Sequence, residues 1–97
     1  MLSRKSRLLQ KVAPVTRRIQ AIANPYRMGI LYALAKEEEM EVWQIAELLG
    51  ISPPLVSHHL NLLREALWVK KQRMGKRVFY RFDEKAKELW SRLSGLN

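Results

Sequence analysis

The sequence contains no cysteine, which excludes disulfides, thiolate metal centres and sulfur-based redox sensing. Histidine is nearly as scarce. His58 and His59 are the only two, and as helix neighbours they project about 100° apart, a poor arrangement for one shared ion. Glycine and proline number four each, too few for a low-complexity or collagen-like chain. Long hydrophobic runs are missing. The longest, residues 29–35, is too short to span a bilayer or form a signal-peptide core, so a cytoplasmic location with no membrane partner is expected. Catalytic and cofactor signatures are absent too: there is no Gly-rich phosphate loop, no HExxH helix, and no nucleophile with a sequence-visible base. The expectation is a non-enzyme without cofactor or metal.

Acid is absent from the first third of the chain. Residues 1–35 carry seven Lys or Arg and no acid, residues 36–69 carry two bases and six acids, and residues 70–97 carry nine bases and three acids. The formal net charge of +9 therefore lies at the two ends, around an acidic patch at Glu37, Glu38, Glu39 and Glu41. Such an excess on a small domain is the footprint of a polyanion, because neutralising phosphates releases condensed counterions. What is present suits one globular unit. With 97 residues and 47% apolar side chains, residues 1–97 are expected to form a single domain with one core. Residues 1–13 form a basic extension. Its composition fits a DNA-contacting or dimer-flanking helix, the preferred reading, or an organellar transit peptide.

Caps, breakers and periodicity outline the elements. Leu8, Val12, Val15, Ile19 and Ile22 recur at spacings of four and three, a narrow stripe suited to a helix–helix seam. Pro14 is expected to split that segment in two. Asn24-Pro25 reads as an N-cap with proline at the first helical position, starting a helix whose Ile30, Leu31 and Leu34 face the core. A short helix with Val42, Ile45, Ala46 and Leu49 on one face ends at Gly50. Ser52 then caps a helix opened by Pro53 and Pro54. Its buried stripe is Val56, Leu60, Leu63 and Leu67, leaving Ser57, His58 and Asn61 toward the other side. Alternation from Val69 to Phe82 around Gly75 predicts a β-hairpin with a basic tip. A last helix over residues 83–93 carries Ala86, Leu89, Trp90 and Leu93 on one side. The expected class is mainly α with a β-hairpin: a helix-turn-helix followed by a two-stranded wing, about five helices in all.

The stretches Asn24-Pro-Tyr-Arg-Met-Gly-Ile-Leu31, Gln44-Ile-Ala-Glu-Leu-Leu-Gly-Ile-Ser52, Val56-Ser-His-His-Leu60, Leu63-Arg-Glu-Ala66 and Gly75-Lys-Arg-Val-Phe-Tyr-Arg-Phe82 resemble the ArsR/SmtB family of winged helix-turn-helix repressors. The resemblance covers about residues 15–93. It implies a homodimer, paired through its first and last helices, that binds an inverted repeat in double-stranded DNA and blocks transcription until an inducer, here unknown, releases it. It places Val15, Ile19, Ile22, Leu89, Trp90 and Leu93 at the dimer seam. Ser57 and His58 would read base edges or anchor phosphates, with Ser52 at the helix start and Gln44 on the backbone. Asn61, one turn after Ser57, offers a base edge both a donor and an acceptor. Arg73, Lys76 and Arg77 on the wing would hold phosphates or enter the minor groove.

Several residues depart from the family pattern. Pro53 and Pro54 stand where relatives are commonly polar, which removes two possible hydrogen bonds to DNA. Leu67 occupies the position of an expected helix-ending glycine, and Trp43 that of a small or capping residue. The family's metal ligands are missing, and His59 reads as a packing residue at the core edge. Two alternatives remain: an architectural protein that binds DNA without sequence preference, and a winged helix used for protein contacts.

Overall fold

The computed structural model describes residues 3–95. In chain order it contains α1 (Arg4–Ile22), α2 (Pro25–Glu37), β1 (Glu39–Met40), α3 (Val42–Leu49), α4 (Pro53–Glu65), β2 (Val69–Met74), β3 (Arg77–Phe82) and α5 (Glu84–Ser94). Most boundaries follow from local chemistry. Asn24 Oδ1 accepts the amides of Tyr26 and Arg27 at 2.9 and 3.1 Å. Ser52 Oγ accepts that of Leu55, and Asp83 Oδ1 that of Ala86. Each satisfies an amide that the first turn of a helix leaves without a partner.

Two expectations about the first helix and the sheet need correction. Pro14 does not divide α1, which runs unbroken for 19 residues. Proline's fixed φ is itself helical; what it removes is an N–H that would bond the Gln10 carbonyl. Gln10 is exposed, so water can take that place. The wing is also larger than a hairpin. β1 pairs antiparallel with β3, Glu39 opposite Arg81 and Met40 opposite Tyr80, giving a three-stranded sheet in the order β1-β3-β2. Two residues are too few for alternation to show, and the partner strand lies some forty positions later.

One apolar cluster joins α2, α3, α4, the base of the sheet and α5. Ile30, Leu31, Leu34, Ile45, Val56, Leu60, Leu63 and Trp68 are fully buried within it. Side chains of this kind each contribute roughly 1.5–3 kcal/mol on burial. Ile22 and Trp90 belong to this same cluster. Trp90 is 2% exposed and packs on Phe82 with ring centroids 6.4 Å apart. Both residues thus face the subunit's own interior, which corrects their assignment to a dimer seam. Val12, Val15 and Ile19 on α1, with Leu89 and Leu93 on α5, remain exposed.

Candidate nucleic-acid interface

Between α3 and α4 the chain reverses through Gly50, whose φ of 67° is left-handed; the amides of Gly50 and Ile51 both reach the Ala46 carbonyl, at 2.9 and 3.2 Å. Glycine takes this conformation without the Cβ clash that other residues meet. The turn aims α4 across α3. Val56, His59, Leu60 and Leu63 turn inward, so the opposite face of α4 is left to solvent. His58 and Asn61 are exposed there and Ser57 is half-buried on its flank. Among the described residues, Asn61 Oδ1 has only a long contact, 3.5 Å, from Arg64 Nη2. Pro53, Pro54 and Leu55 are exposed at the start of the same helix. Leu55 escaped the sequence reading because an apolar residue beside Val56 resembles core; on this face it can meet a thymine methyl.

Two predicted contacts have structural duties. Ser52 is exposed but its hydroxyl oxygen caps α4. Gln44 is half-buried, and its Oε1 accepts the Glu41 amide at 2.8 Å at the start of α3.

The wing turns through Gly75, φ 65°, between Met74 and Arg77. Glycine at the first of two central residues matches a hairpin turn whose twist suits the flanking strands. Arg73 and Lys76 are exposed, and neither joins an ion pair among the described residues. Arg77 differs from them. Its guanidinium grips Glu41 through two contacts, Nη2 to Oε2 at 2.8 Å and Nε to Oε1 at 3.2 Å, and lies 4.8 Å from the Phe79 ring centroid. The Glu41 side chain is 14% exposed and that of Arg77 65%. Glu41 also accepts the Trp43 indole N–H at 3.0 Å. Hydrogen bonds from Arg77 and then from Trp43 hold the Glu41 carboxyl below the usual carboxylate range. Arg77 is thus tied to the start of α3, not held out beside Lys76. The acidic run gave a signal, but nothing local separated Glu41 from its neighbours.

Behind the exposed face, His59 is buried against Tyr26, stacked at 5.7 Å, with its Nδ1 3.1 Å from Arg27 Nη1. A guanidinium can only donate, so Nδ1 accepts and the ring proton is assigned to Nε2. Burial first, then the charges of Arg27 and His58, push the His59 pKa down. The contact with Arg27 and the direction of that shift both favour the neutral imidazole. Among the described residues no group of three or more His, Cys, Asp or Glu is placed to hold a metal ion, and no helix is long and apolar enough to cross a membrane.

Comparison with known proteins adds to this geometry. The family model described as "Bacterial regulatory protein, arsR family" matches residues 24–71, a span from the start of α2 into β2. The transcriptional repressor SdpR of Bacillus subtilis is 41% identical over 61 residues, covering 63% of this chain and 67% of its own. An uncharacterized HTH-type transcriptional regulator of Methanocaldococcus jannaschii is 34% identical over 82 residues, 84% of this chain and 92% of its own. Among solved structures, a homodimeric winged helix-turn-helix DNA-binding domain from Mycobacterium bovis superimposes with a TM-score of 0.81 at 31% identity. That match covers 98% of this chain and 85% of the other. The expected winged helix-turn-helix fold is thereby established.

Proposed function

The chain belongs to the ArsR family of bacterial regulatory proteins, and on that premise we propose that it is a transcriptional repressor that binds an inverted-repeat operator in double-stranded DNA as a homodimer. The observation that carries this reading is the uncovered polar face of α4, led by a capped N-terminus and followed by a cationic hairpin. A helix presented in this way fits the major groove, and the wing reaches the neighbouring backbone. Ser57, His58 and Asn61 are the proposed base-edge or phosphate contacts, with Leu55 beside them; Arg73 and Lys76 are the proposed wing contacts. Gln44 and Ser52 contribute through the parts of their side chains that the caps leave available. Arg77 acts through Glu41 as a positioning residue.

Apolar groups outside the core support the dimer. Val15 and Ile19 on α1 with Leu89 and Leu93 on α5 are apolar and exposed, and a second copy related by a two-fold axis would present the same groups to them. Two-fold symmetry in the protein calls for two-fold symmetry in the site.

Selection of bound duplexes from random DNA by the purified chain tests the proposal. The expected result is an imperfect palindrome with a fixed half-site spacing, bound on the order of 10³-fold above random sequence at physiological salt. Equal recovery of all sequences would instead support an architectural role, and no recovery a protein-contact role.

A further inference from the structure

α1 meets the far end of the recognition helix largely through arginine. Arg18 Nε donates to the Ala66 carbonyl at 3.0 Å and its Nη2 to that of Leu67 at 3.4 Å, while the Trp68 indole N–H returns to the Arg18 carbonyl at 2.9 Å. Arg27, from α2, donates through Nε to the Ala21 carbonyl and meets His59 through Nη1. Beside these bridges lies an open groove of about 530 Å³, within the range of small-molecule sites. Pro14, Arg17 and Ala21 form one wall; Leu62, Ala66 and Leu67 form the other. Its charge is one-sided, with Arg17, Arg18 and Arg27 set against Glu65 alone.

The groove is separate from the proposed seam. At 3.6 residues per turn, Pro14, Arg17 and Ala21 lie roughly half a turn around α1 from Val12, Val15 and Ile19. Pairing of α1 with a second copy through that stripe leaves the groove on the subunit's own surface.

We propose that this groove binds a small organic anion, a monocarboxylate with an apolar body, and that occupancy is read by the recognition helix. A guanidinium carries five N–H donors in a fork that matches a carboxylate. Arg18 and Arg27 each engage two in the contacts above, and exposed Arg17 stands at the rim. The carboxylate meets these remaining donors while the hydrocarbon covers Pro14, Leu62 and Leu67. A carboxylate on the remaining donors of Arg18 or Arg27 pulls on the same guanidinium, and in that sense competes with its bonds to the Ala66 and Leu67 carbonyls and to His59, the groups that tie α4 to α1 and α2. Coupling to DNA requires only that this competition differ between the bound and free settings of α4. That coupling rests on the DNA-binding reading above; occupancy of the groove does not.

The test uses the whole ¹⁵N-labelled chain without DNA, titrated with octanoate, octanol and inorganic phosphate. The Trp68 indole and the Arg18 and Arg27 Nε–H resonances are the reporters. The proposal expects saturable shifts with octanoate at millimolar concentration or below and none with octanol or phosphate. Arg17→Glu should weaken octanoate binding about tenfold, one charge-assisted contact, with melting temperature and dimer mass unchanged. Lack of saturation overturns the proposal. So do equal shifts with phosphate, which make the arginines a phosphate surface, or shifts confined to Val15 and Ile19, which mark the seam. Octanoate is then added to the protein on its selected operator. A several-fold change in affinity is expected, and no change overturns the coupling while leaving the site. Should the protein ignore every duplex, the DNA reading fails, and the groove is still judged from the free protein's resonances.

Discussion

The Glu41–Arg77 pair makes a quantitative prediction about DNA binding that reverses what charge counting on the wing suggests. Each phosphate neutralised by a cation adds about 0.9 to the slope of log K against log salt. Arg73, Lys76 and Arg77 cluster at one hairpin, so counting assigns all three to phosphate. The structure instead holds Arg77 by two contacts on a carboxylate that is mostly shielded from water and further fixed by Trp43. To reach a phosphate, Arg77 must leave that carboxylate behind without its strongest donor. Arg77→Ala is therefore expected to leave the salt slope on random duplex unchanged, whereas Lys76→Ala lowers it by about 0.9.

Glu41→Gln completes the cycle. The amide keeps the size of the carboxylate but loses its charge, so it frees Arg77 for phosphate. The slope on random DNA should steepen by about 0.9, and discrimination between operator and random sequence should fall because the wing has lost its anchor to α3. In the double variant Glu41→Gln/Arg77→Ala the slope returns to the wild-type value. Fluorescence anisotropy on a labelled duplex across a salt series measures the wild type and all four variants. A drop of about 0.9 for Arg77→Ala in the wild-type background would refute the reasoning, since it means Arg77 reaches DNA despite Glu41.

Four further outcomes follow from individual residues. Leu67 is 64% exposed and has φ 66°, a left-handed conformation that costs a non-glycine residue about 1–2 kcal/mol. Leu67→Gly should stabilise the fold by about 1 kcal/mol after glycine's greater unfolded-state freedom is set against it, raising the melting temperature by several degrees. His59 has its pKa lowered in the folded state. Its contribution is therefore whole above the ordinary histidine value of 6.5 and is lost as pH falls below it, where the unfolded chain takes the proton first; in urea melts between neutral and mildly acidic pH, wild type should lose more stability than His59→Gln, which lacks that titration. Leu93→Glu or Ile19→Glu should shift sedimentation from dimer to monomer while leaving the melting transition of the subunit cooperative. Asn61→Ala should relax preference at one position of each half-site by about 1–3 kcal/mol, seen by repeating the selection.

What the sequence made legible is what neighbours in the chain decide. Asn24 and Ser52 bond amides two or three residues onward, and Gly50 and Gly75 set their own backbone, so these caps and turns could be placed without the fold; Asp83, read as the first residue of the last helix, is its cap instead. The α5 stripe was legible as a stripe but not as two surfaces. Ala86 and Trp90 enter the core while Leu89 and Leu93 stay outside, and apolar spacing does not say which neighbour each edge of a helix meets. Least legible were partners far apart in sequence: Arg18 with Ala66 and Trp68, Arg27 with His59, Arg77 with Glu41. All three involve arginine, whose long stem and five donors let it leave the surface and bind its own chain. Net charge counts such a residue as fully available to phosphate, so it sets an upper bound on the cations that DNA can recruit. Lys76, a compact charge at the hairpin tip, stays within that bound, whereas Arg77 one position later does not.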